Sequence, residues 1–112
     1  MPNFEIWIFL LIYLAFLYCM KAVWNNTIIA ESEETIRIEG NHYFPPDSIK
    51  KEYFHQSNST SRCFWKGKAN YLSVTVNGRT NQNCAWFYPK PSFLAKKITG
   101  YIAFWNDVQI YQ

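Results

Sequence analysis

Apolar and polar residues alternate with a period of two along most of the chain, a pattern that predicts β-strands. Residues 21–24 and 27–30 alternate on either side of Asn25-Asn26, a pair that tolerates positive φ and favours a tight hairpin. The segment TIRIE, residues 35–39, predicts a further strand.

The second half of the chain repeats this pattern. Residues 71–80, YLSVTVNGRT, begin with a predicted strand that leads into Asn77-Gly78, the strongest short hairpin signal in the sequence. Residues 83–88 predict the return strand. Residues 101–111 predict a final hairpin about Asn106-Asp107.

Two short segments favour helix instead. Residues 47–54 follow a Pro-Pro pair that ends any strand, and Asp47 near their start suits the exposed amides of a first helical turn. Ser92 can cap a second helix over residues 92–98, which ends before Gly100. The sequence therefore predicts a mainly β domain of small twisted antiparallel sheets with two short helices.

The first nineteen residues differ from the rest. An unbroken apolar run from Ile6 to Met20 would span about 22 Å as a helix, short of a bilayer core of roughly 30 Å. Glu5, not a basic residue, precedes the run, and no small-residue cleavage pattern follows. Residues 1–19 are thus an extension upstream of a working start at Met20, a membrane anchor or a cleaved signal, and residues 20–112 form the domain.

The composition indicates the size class of the domain and the compartment in which the protein is expected. The chain has 112 residues, 49% of them hydrophobic and 20% aromatic, so one small domain can close a real core. The net charge is +3, and acidic and basic residues alternate along the chain without forming a charged tail. The charge alone therefore does not indicate which kind of partner the protein binds. Cys63 and Cys84 do not form a dense disulfide framework, which favours a reducing compartment. We expect a cytoplasmic protein or, alternatively, one anchored to a membrane through residues 1–19.

Four ordered segments carry a family resemblance: GNHYFPPDSI, CFWKGKANY, NCAWFYP and ITGYIAFW. From Met20 to about Tyr111 the chain resembles the family called domain of unknown function 427, which also carries a nucleotidyltransferase-like label. The resemblance implies a fold of the Mss4-like, or β-tent, type. One departure is Phe64, which stands where the family motif usually has proline.

The residues do not favour nucleotidyl transfer or a metal site. Such transfer needs carboxylates that hold Mg²⁺ and usually a glycine-rich loop, whereas the acidic cluster at residues 31–34 is typical of a solvated turn. Zinc ligands usually come in close pairs, but His42, His55, Cys63 and Cys84 are single and far apart in sequence. We expect no metal and no cofactor.

Cys63 has two interpretations. A thiolate nucleophile is favoured by a nearby cation, which Lys66 supplies. Glu39, Asn41 and His42 follow a strand and lie at a loop, where polar side chains can converge on a ligand, and His42 or Glu39 could transfer protons. Free cysteine is, however, among the most buried residue types, and Phe64-Trp65 beside it resemble core residues. We expect a mainly packed Cys63 that reacts slowly with thiol reagents.

Lys66 stands between Trp65 and Gly67, where an ammonium cannot fill a core. It is either an ordinary solvated lysine or a cation that points into a cleft and meets a carboxylate or phosphate.

The arms of the Asn77-Gly78 hairpin carry the other candidate ligand-binding residues. Counting inward from the turn places Tyr71 near Trp86 or Asn83, which could form an aromatic wall with an amide, and Tyr88 follows on the same strand. Trp86 could equally be plain core, and Asn83 either anchors a turn or binds a ligand.

Three classes of function remain open. The first is a polar and aromatic pocket that binds, or acts on, a small anionic ligand, and the sequence does not decide whether the protein is an enzyme. The second is a protein-interaction module, by analogy with the Mss4-like fold. The third, single-stranded nucleic-acid binding, has only a weak signal. Membrane contact is expected only if residues 1–19 are retained, and no oligomeric state is indicated.

Overall fold

The computed structural model describes residues 4–17 and 19–112 of the chain. One α-helix, α1, precedes nine strands in this part of the chain, and the bounds are α1 (Phe4–Leu17), β1 (Met20–Trp24), β2 (Thr27–Ser32), β3 (Ile36–Ile38), β4 (Asn41–Tyr43), β5 (Phe54–Cys63), β6 (Gly67–Val76), β7 (Arg79–Phe87), β8 (Ile102–Phe104) and β9 (Gln109–Tyr111). Short 3₁₀-helices cover Pro46–Ser48, Lys51–Tyr53 and Phe93–Ile98.

The strands form three antiparallel sheets, in the orders β2-β1-β9, β3-β4 and β5-β6-β7-β8. The prediction of a mainly β domain with antiparallel sheets is confirmed. Its likeness to the Mss4-like fold stays a prediction. Strands β3 and β4 and the four-stranded sheet together position the cleft described below.

Two hairpin turns lie where the sequence predicts them. Asn25 and Asn26 have φ of 50° and 57° between β1 and β2, and Asn77 and Gly78 have φ of 51° and 77° between β6 and β7. Two consecutive residues with positive φ give a turn whose twist matches that of the flanking strands. Asparagine and glycine tolerate this conformation, which is why local sequence is sufficient to predict these turns.

The predicted final hairpin is wrong in its pairing. Asn106 and Asp107 do turn the chain, with φ of 56° and 72°, but β8 pairs with β7 whereas β9 pairs with β1. On its other edge β8 is bonded to Phe44, with N···O distances of 2.7 and 2.8 Å between Phe44 and Ile102. Both edges of β8 are therefore occupied, and the turn carries the chain from one sheet to another.

The helical segments are shorter than the patterns predict. Residues 47–54 contain two separate 3₁₀-helices, because Ile49 is extended between them and bridges to Ala30. The second segment is a 3₁₀-helix over Phe93–Ile98, and Ser92 does not cap it. The Ser92 hydroxyl instead donates a hydrogen bond to the backbone oxygen of Trp65.

The buried apolar residues form two clusters. The larger one includes Ile29, Phe44 and Val74 and fills the space between the three-stranded and four-stranded sheets. The smaller one consists of Tyr43, Ala69, Tyr88, Ala95, Ile98 and Ala103. Tyr43 and Tyr88 belong to this smaller cluster and also line the cleft, so the cluster packs directly against the cleft wall.

Helix α1 stands apart in character from the β domain. Its side chains from Ile6 to Ile12 are apolar and exposed. Among the residues that the structure describes, no helix is both long enough and apolar enough to cross a membrane.

Candidate functional site

A cleft of about 340 Å³ opens where β3, β4 and the loop between β5 and β6 meet the β6-β7 hairpin. Its walls combine charged, hydroxyl and aromatic side chains, and it is lined by Glu39, Asn41, Tyr43, Ser61, Lys66, Tyr71, Trp86, Tyr88 and Trp105. Six of the nine residues predicted from the sequence are thus brought together: Glu39, Asn41, Lys66, Tyr71, Trp86 and Tyr88. The other three, Cys63, His42 and Asn83, lie outside the lining.

Lys66 occupies the loop that joins β5 to β6, and its side chain is only 8% exposed. The alternative of an ordinary solvated lysine is therefore wrong, and the ammonium lies in the cleft. Gly67 makes this loop possible, since it has a φ of 110° and packs against the backbone of Lys90. A Cβ at Gly67 would lie 3.5 Å from the Lys90 oxygen, in a backbone conformation that other residues rarely adopt.

Glu39 is the carboxylate partner of Lys66. It lies in the two-residue turn between β3 and β4, where Glu39 and Gly40 have φ of 53° and 81°. The Lys66 ammonium donates a hydrogen bond to Glu39 Oε1 in an ion pair. The two members differ in burial, because the Glu39 side chain is 55% exposed.

Two aromatic rings also stabilise the Lys66 cation. Its nitrogen lies 4.7 Å from the Trp65 ring centroid and 5.8 Å from that of Tyr88, within the range of cation–π attraction. Burial acts to lower the pKa of Lys66. The hydrogen bond to Glu39 and the nearby side chains of Tyr43, Tyr88 and Cys63 outweigh this effect and raise the pKa above its ordinary value of 10.5. Lys66 is therefore positively charged at neutral pH.

The predicted aromatic wall is present. Tyr71 and Trp86 are cross-strand partners on β6 and β7, which is one of the two pairings that the sequence left open. The Asn77-Gly78 turn sets the register only as far as Val74 opposite Asn81, and the shift beyond that pair brings Trp86 opposite Tyr71. The Trp86 indole donates to the Tyr43 hydroxyl at 3.3 Å, and their rings meet edge to face with centroids 6.3 Å apart. Trp86 packs against the smaller core cluster and also lines the cleft, and a role in ligand binding stays a prediction.

Tyr88 completes the wall at the end of β7. Burial, together with the neighbouring Tyr43, raises the pKa of the Tyr88 phenol to about 12. The phenol therefore stays protonated at neutral pH, and its hydroxyl can donate a hydrogen bond to a ligand.

Asn83 anchors a β-bulge, outside the cleft. The register between β6 and β7 shifts beside it, and its φ is 56°. Its backbone N–H donates to Ser73 Oγ at 3.0 Å, its side-chain amide donates to Ser59 Oγ at 3.1 Å, and its backbone oxygen accepts from the Trp105 indole at 2.6 Å. Asn83 thus orients Trp105, which does line the cleft.

His42 points away from the cleft, because side chains alternate along β4 and those of Asn41 and Tyr43 face it. Its Nδ1 lies 3.4 Å from the Thr35 hydroxyl. Burial and the nearby Arg37 charge lower the pKa of His42, so the ring is neutral at neutral pH. The expected convergence of His42 with Lys66 does not occur.

Cys63 ends β5 and is partly exposed, partly packed against the smaller core cluster. Burial acts to raise the pKa of its thiol, but the backbone N–H groups of Trp65 and Lys66 and the Lys66 ammonium lower it below its ordinary value. These surroundings favour the thiolate, whereas packing against the smaller cluster favours slow reaction, so the reactivity of Cys63 stays a prediction that labelling can test.

Cys63 is expected to react with iodoacetamide at neutral pH at least about tenfold faster than Cys84. Cys84 is fully buried, and burial raises the pKa of its thiol to about 11. Mass spectrometry of peptides taken during the reaction measures both rates, with Cys63→Ser as the control for assignment. Equal rates, or a faster Cys84, would contradict this description of the two thiols.

Sequence reasoning missed three lining residues: Tyr43, Ser61 and Trp105. Ser61 lies on β5, a polar strand that the alternation pattern did not reveal, and it contacts the Tyr71 hydroxyl at 2.9 Å. Tyr43 could have been found from its period-two spacing to Asn41, had the short strand β4 been recognised. Trp105 gives no such signal, because its position depends on the Asn83 bulge.

Within residues 4–17 and 19–112, no group of three or more histidine, cysteine or acidic side chains is placed to hold a metal ion. The described residues that line the cleft supply one buried cation, one carboxylate, hydroxyl groups and the faces of aromatic rings.

Comparison with known proteins gives a family and no activity. The profile of the family described as "Domain of unknown function (DUF427)" matches residues 16–112. No curated protein matches the chain.

Proposed function

We propose that this chain, which belongs to the domain of unknown function 427 family, binds a small anionic ligand with a flat ring in the cleft around Lys66. The observation that carries the proposal is the buried Lys66 ammonium, aimed into a concave space. Burying a cation is unfavourable unless it is paired, and here the partner is the more than half-exposed Glu39 carboxylate, which a ligand anion can replace.

The ion pair supports an exchange of anions. Glu39 is more than half exposed and lies in a turn, so its carboxylate can move into water at small cost, whereas Lys66 is enclosed by Trp65 and Tyr88. A carboxylate or phosphate on a ligand can therefore replace Glu39 beside a cation that is already in position. Preorganisation of this kind favours binding, because the ordering of Lys66 is complete before the ligand arrives.

The walls favour a flat, uncharged moiety next to that anion. Trp86 and Trp105 offer ring surfaces, and the hydroxyls of Tyr71 and Tyr88 can orient polar groups. The volume of about 340 Å³ lies at the lower end of the range for small-molecule pockets, which supports a ligand of one or two rings. A concave, mixed polar and aromatic surface supports ligand binding over the alternative of a flat protein-interaction surface.

We expect phenyl phosphate and benzoate to bind the cleft, and benzyl alcohol, which has the ring without the charge, to bind at least about tenfold more weakly. Titrations followed by the NMR signals of the Trp86 and Trp105 indole N–H groups measure the affinities and place the binding site. The indole N–H signal of Trp24, which lies in the larger core cluster outside the cleft lining, is a control that should not shift. Equal binding of benzyl alcohol, or shifts that spare both indoles, would contradict the proposal.

A further inference from the structure

Acidic and basic residues are segregated along the chain and do not alternate evenly, which corrects the expectation drawn from the sequence. Residues 53–106 contain no aspartate or glutamate, yet they carry seven of the eleven basic residues: Arg62, Lys66, Lys68, Arg79, Lys90, Lys96 and Lys97. This half of the domain is therefore strongly basic, although the net charge of the chain is only +3.

Two loops of this basic half are joined and present apolar side chains. Ser92 donates its backbone N–H to the Lys66 oxygen at 2.9 Å and its hydroxyl to the Trp65 oxygen. The residues next to this junction are Phe64 on one loop and Phe93 and Leu94 on the other. Their exposed fractions are 98%, 87% and 75%, among the highest of any large apolar residue in the described part of the chain.

Exposed basic residues flank these apolar side chains. Arg62 and Lys68 are cross-strand partners just below the first loop, and Lys90, Lys96 and Lys97 lie before and after the second. We call Phe64, Phe93 and Leu94, with these five basic residues, the loop face.

We propose that the loop face binds the surface of an anionic lipid bilayer, with its three apolar side chains inserted among the acyl chains. Phenylalanine and leucine side chains carry no polar group that would be left unpaired in hydrocarbon, and basic residues around them match anionic headgroups. Three apolar side chains on two hydrogen-bonded loops, with a basic surround from a segment that contains no acidic residue, fit this partner by charge complementarity. Glu39 reaches the first loop from another strand pair, but its carboxylate is paired with Lys66.

A single-stranded nucleic acid fits the loop face less well. Such partners stack their bases on aromatic rings, but Leu94 is aliphatic and cannot stack. The loop face also gives membrane contact without residues 1–19, which differs from the expectation drawn from the sequence.

The test compares binding of the full chain to vesicles of phosphatidylcholine alone and with about 30% phosphatidylserine, measured by co-sedimentation. We expect at least about tenfold stronger binding to the anionic vesicles, and a loss of binding with added salt. The variant Phe64→Ser/Phe93→Ser/Leu94→Ser should lose about tenfold, and Lys96→Gln/Lys97→Gln should lose severalfold on anionic vesicles only. All five positions are exposed, so circular dichroism should show an unchanged fold.

Helix α1 also exposes apolar side chains and could itself bind vesicles. The loop variants therefore decide whether the loop face is responsible. Undiminished binding of the triple serine variant to anionic vesicles would overturn the proposal, because another surface would then be responsible. Absence of vesicle binding by the unmodified chain would also overturn it. If oligodeoxythymidine bound instead, and the same variants weakened that binding, the partner would be single-stranded nucleic acid and not a membrane.

Discussion

Replacement of Phe44 by alanine is expected to lower the free energy of unfolding by about 3–5 kcal/mol, the largest effect of a single substitution considered for this protein. Phe44 is fully buried in the larger core cluster, and its ring meets that of Phe104 edge to face with centroids 5.5 Å apart. The substitution would remove apolar contacts and leave a cavity that the surrounding strands can fill only in part.

The backbone of Phe44 adds to this effect, because it is bonded to Ile102 and so connects the segment after β4 to the four-stranded sheet. The cleft lies across that connection, so destabilisation at Phe44 should also weaken the site. Urea or thermal unfolding measures the change, and Phe93→Ala is the matched control. Phe93 is 87% exposed, so its loss should change stability by less than about 0.5 kcal/mol. Similar losses in both variants would contradict the assignment of the core.

Replacement of Lys66 by methionine is expected to weaken phenyl phosphate binding by about ten- to a hundredfold, since a charge-assisted contact contributes about 1.5–3 kcal/mol. Methionine retains an unbranched apolar stem between Trp65 and Tyr88 and removes the charge. Alanine is the less suitable variant, because Lys66 is buried and its truncation would also remove the packing of the stem.

Stability should change little in Lys66→Met, because the Glu39 carboxylate that loses its partner is more than half exposed and stays hydrated. Isothermal titration calorimetry and thermal unfolding of the same preparations separate the two effects. Unchanged affinity would show that Lys66 does not contact the ligand, and a large loss of stability alongside it would show that Lys66 supports the fold instead.

Local chemistry explains which parts of the fold the sequence predicts correctly. Asn25-Asn26 and Asn77-Gly78 tolerate positive φ, and the second turn fixes the register of β6 and β7 as far as Val74 opposite Asn81. The pairing of Tyr71 with Trp86 depends in addition on the bulge at Asn83, which the sequence pattern does not reveal. In contrast, β5 is almost entirely polar and exposed, and its strand conformation comes from pairing with β6. Such a strand shows no alternation, because neither of its faces is consistently buried.

The site depended on contacts that the sequence does not show. Lys66 is buried because the β3-β4 turn brings Glu39, 27 residues earlier in the chain, to its ammonium. The Asn106-Asp107 turn looks like a hairpin locally, yet the edges of β8 are already occupied by β7 and Phe44. Long-range pairing decides both outcomes, and period-two alternation carries no information about it.

The most direct test of the proposed binding site is the affinity of phenyl phosphate for Glu39→Gln relative to the unmodified chain. Glutamine keeps the size of the side chain and removes the charge that competes with the ligand for Lys66. If a ligand anion replaces Glu39 beside this cation, Glu39→Gln should bind phenyl phosphate about tenfold more tightly, in contrast to the loss in Lys66→Met. Weaker or unchanged binding in Glu39→Gln would contradict the exchange of anions at Lys66.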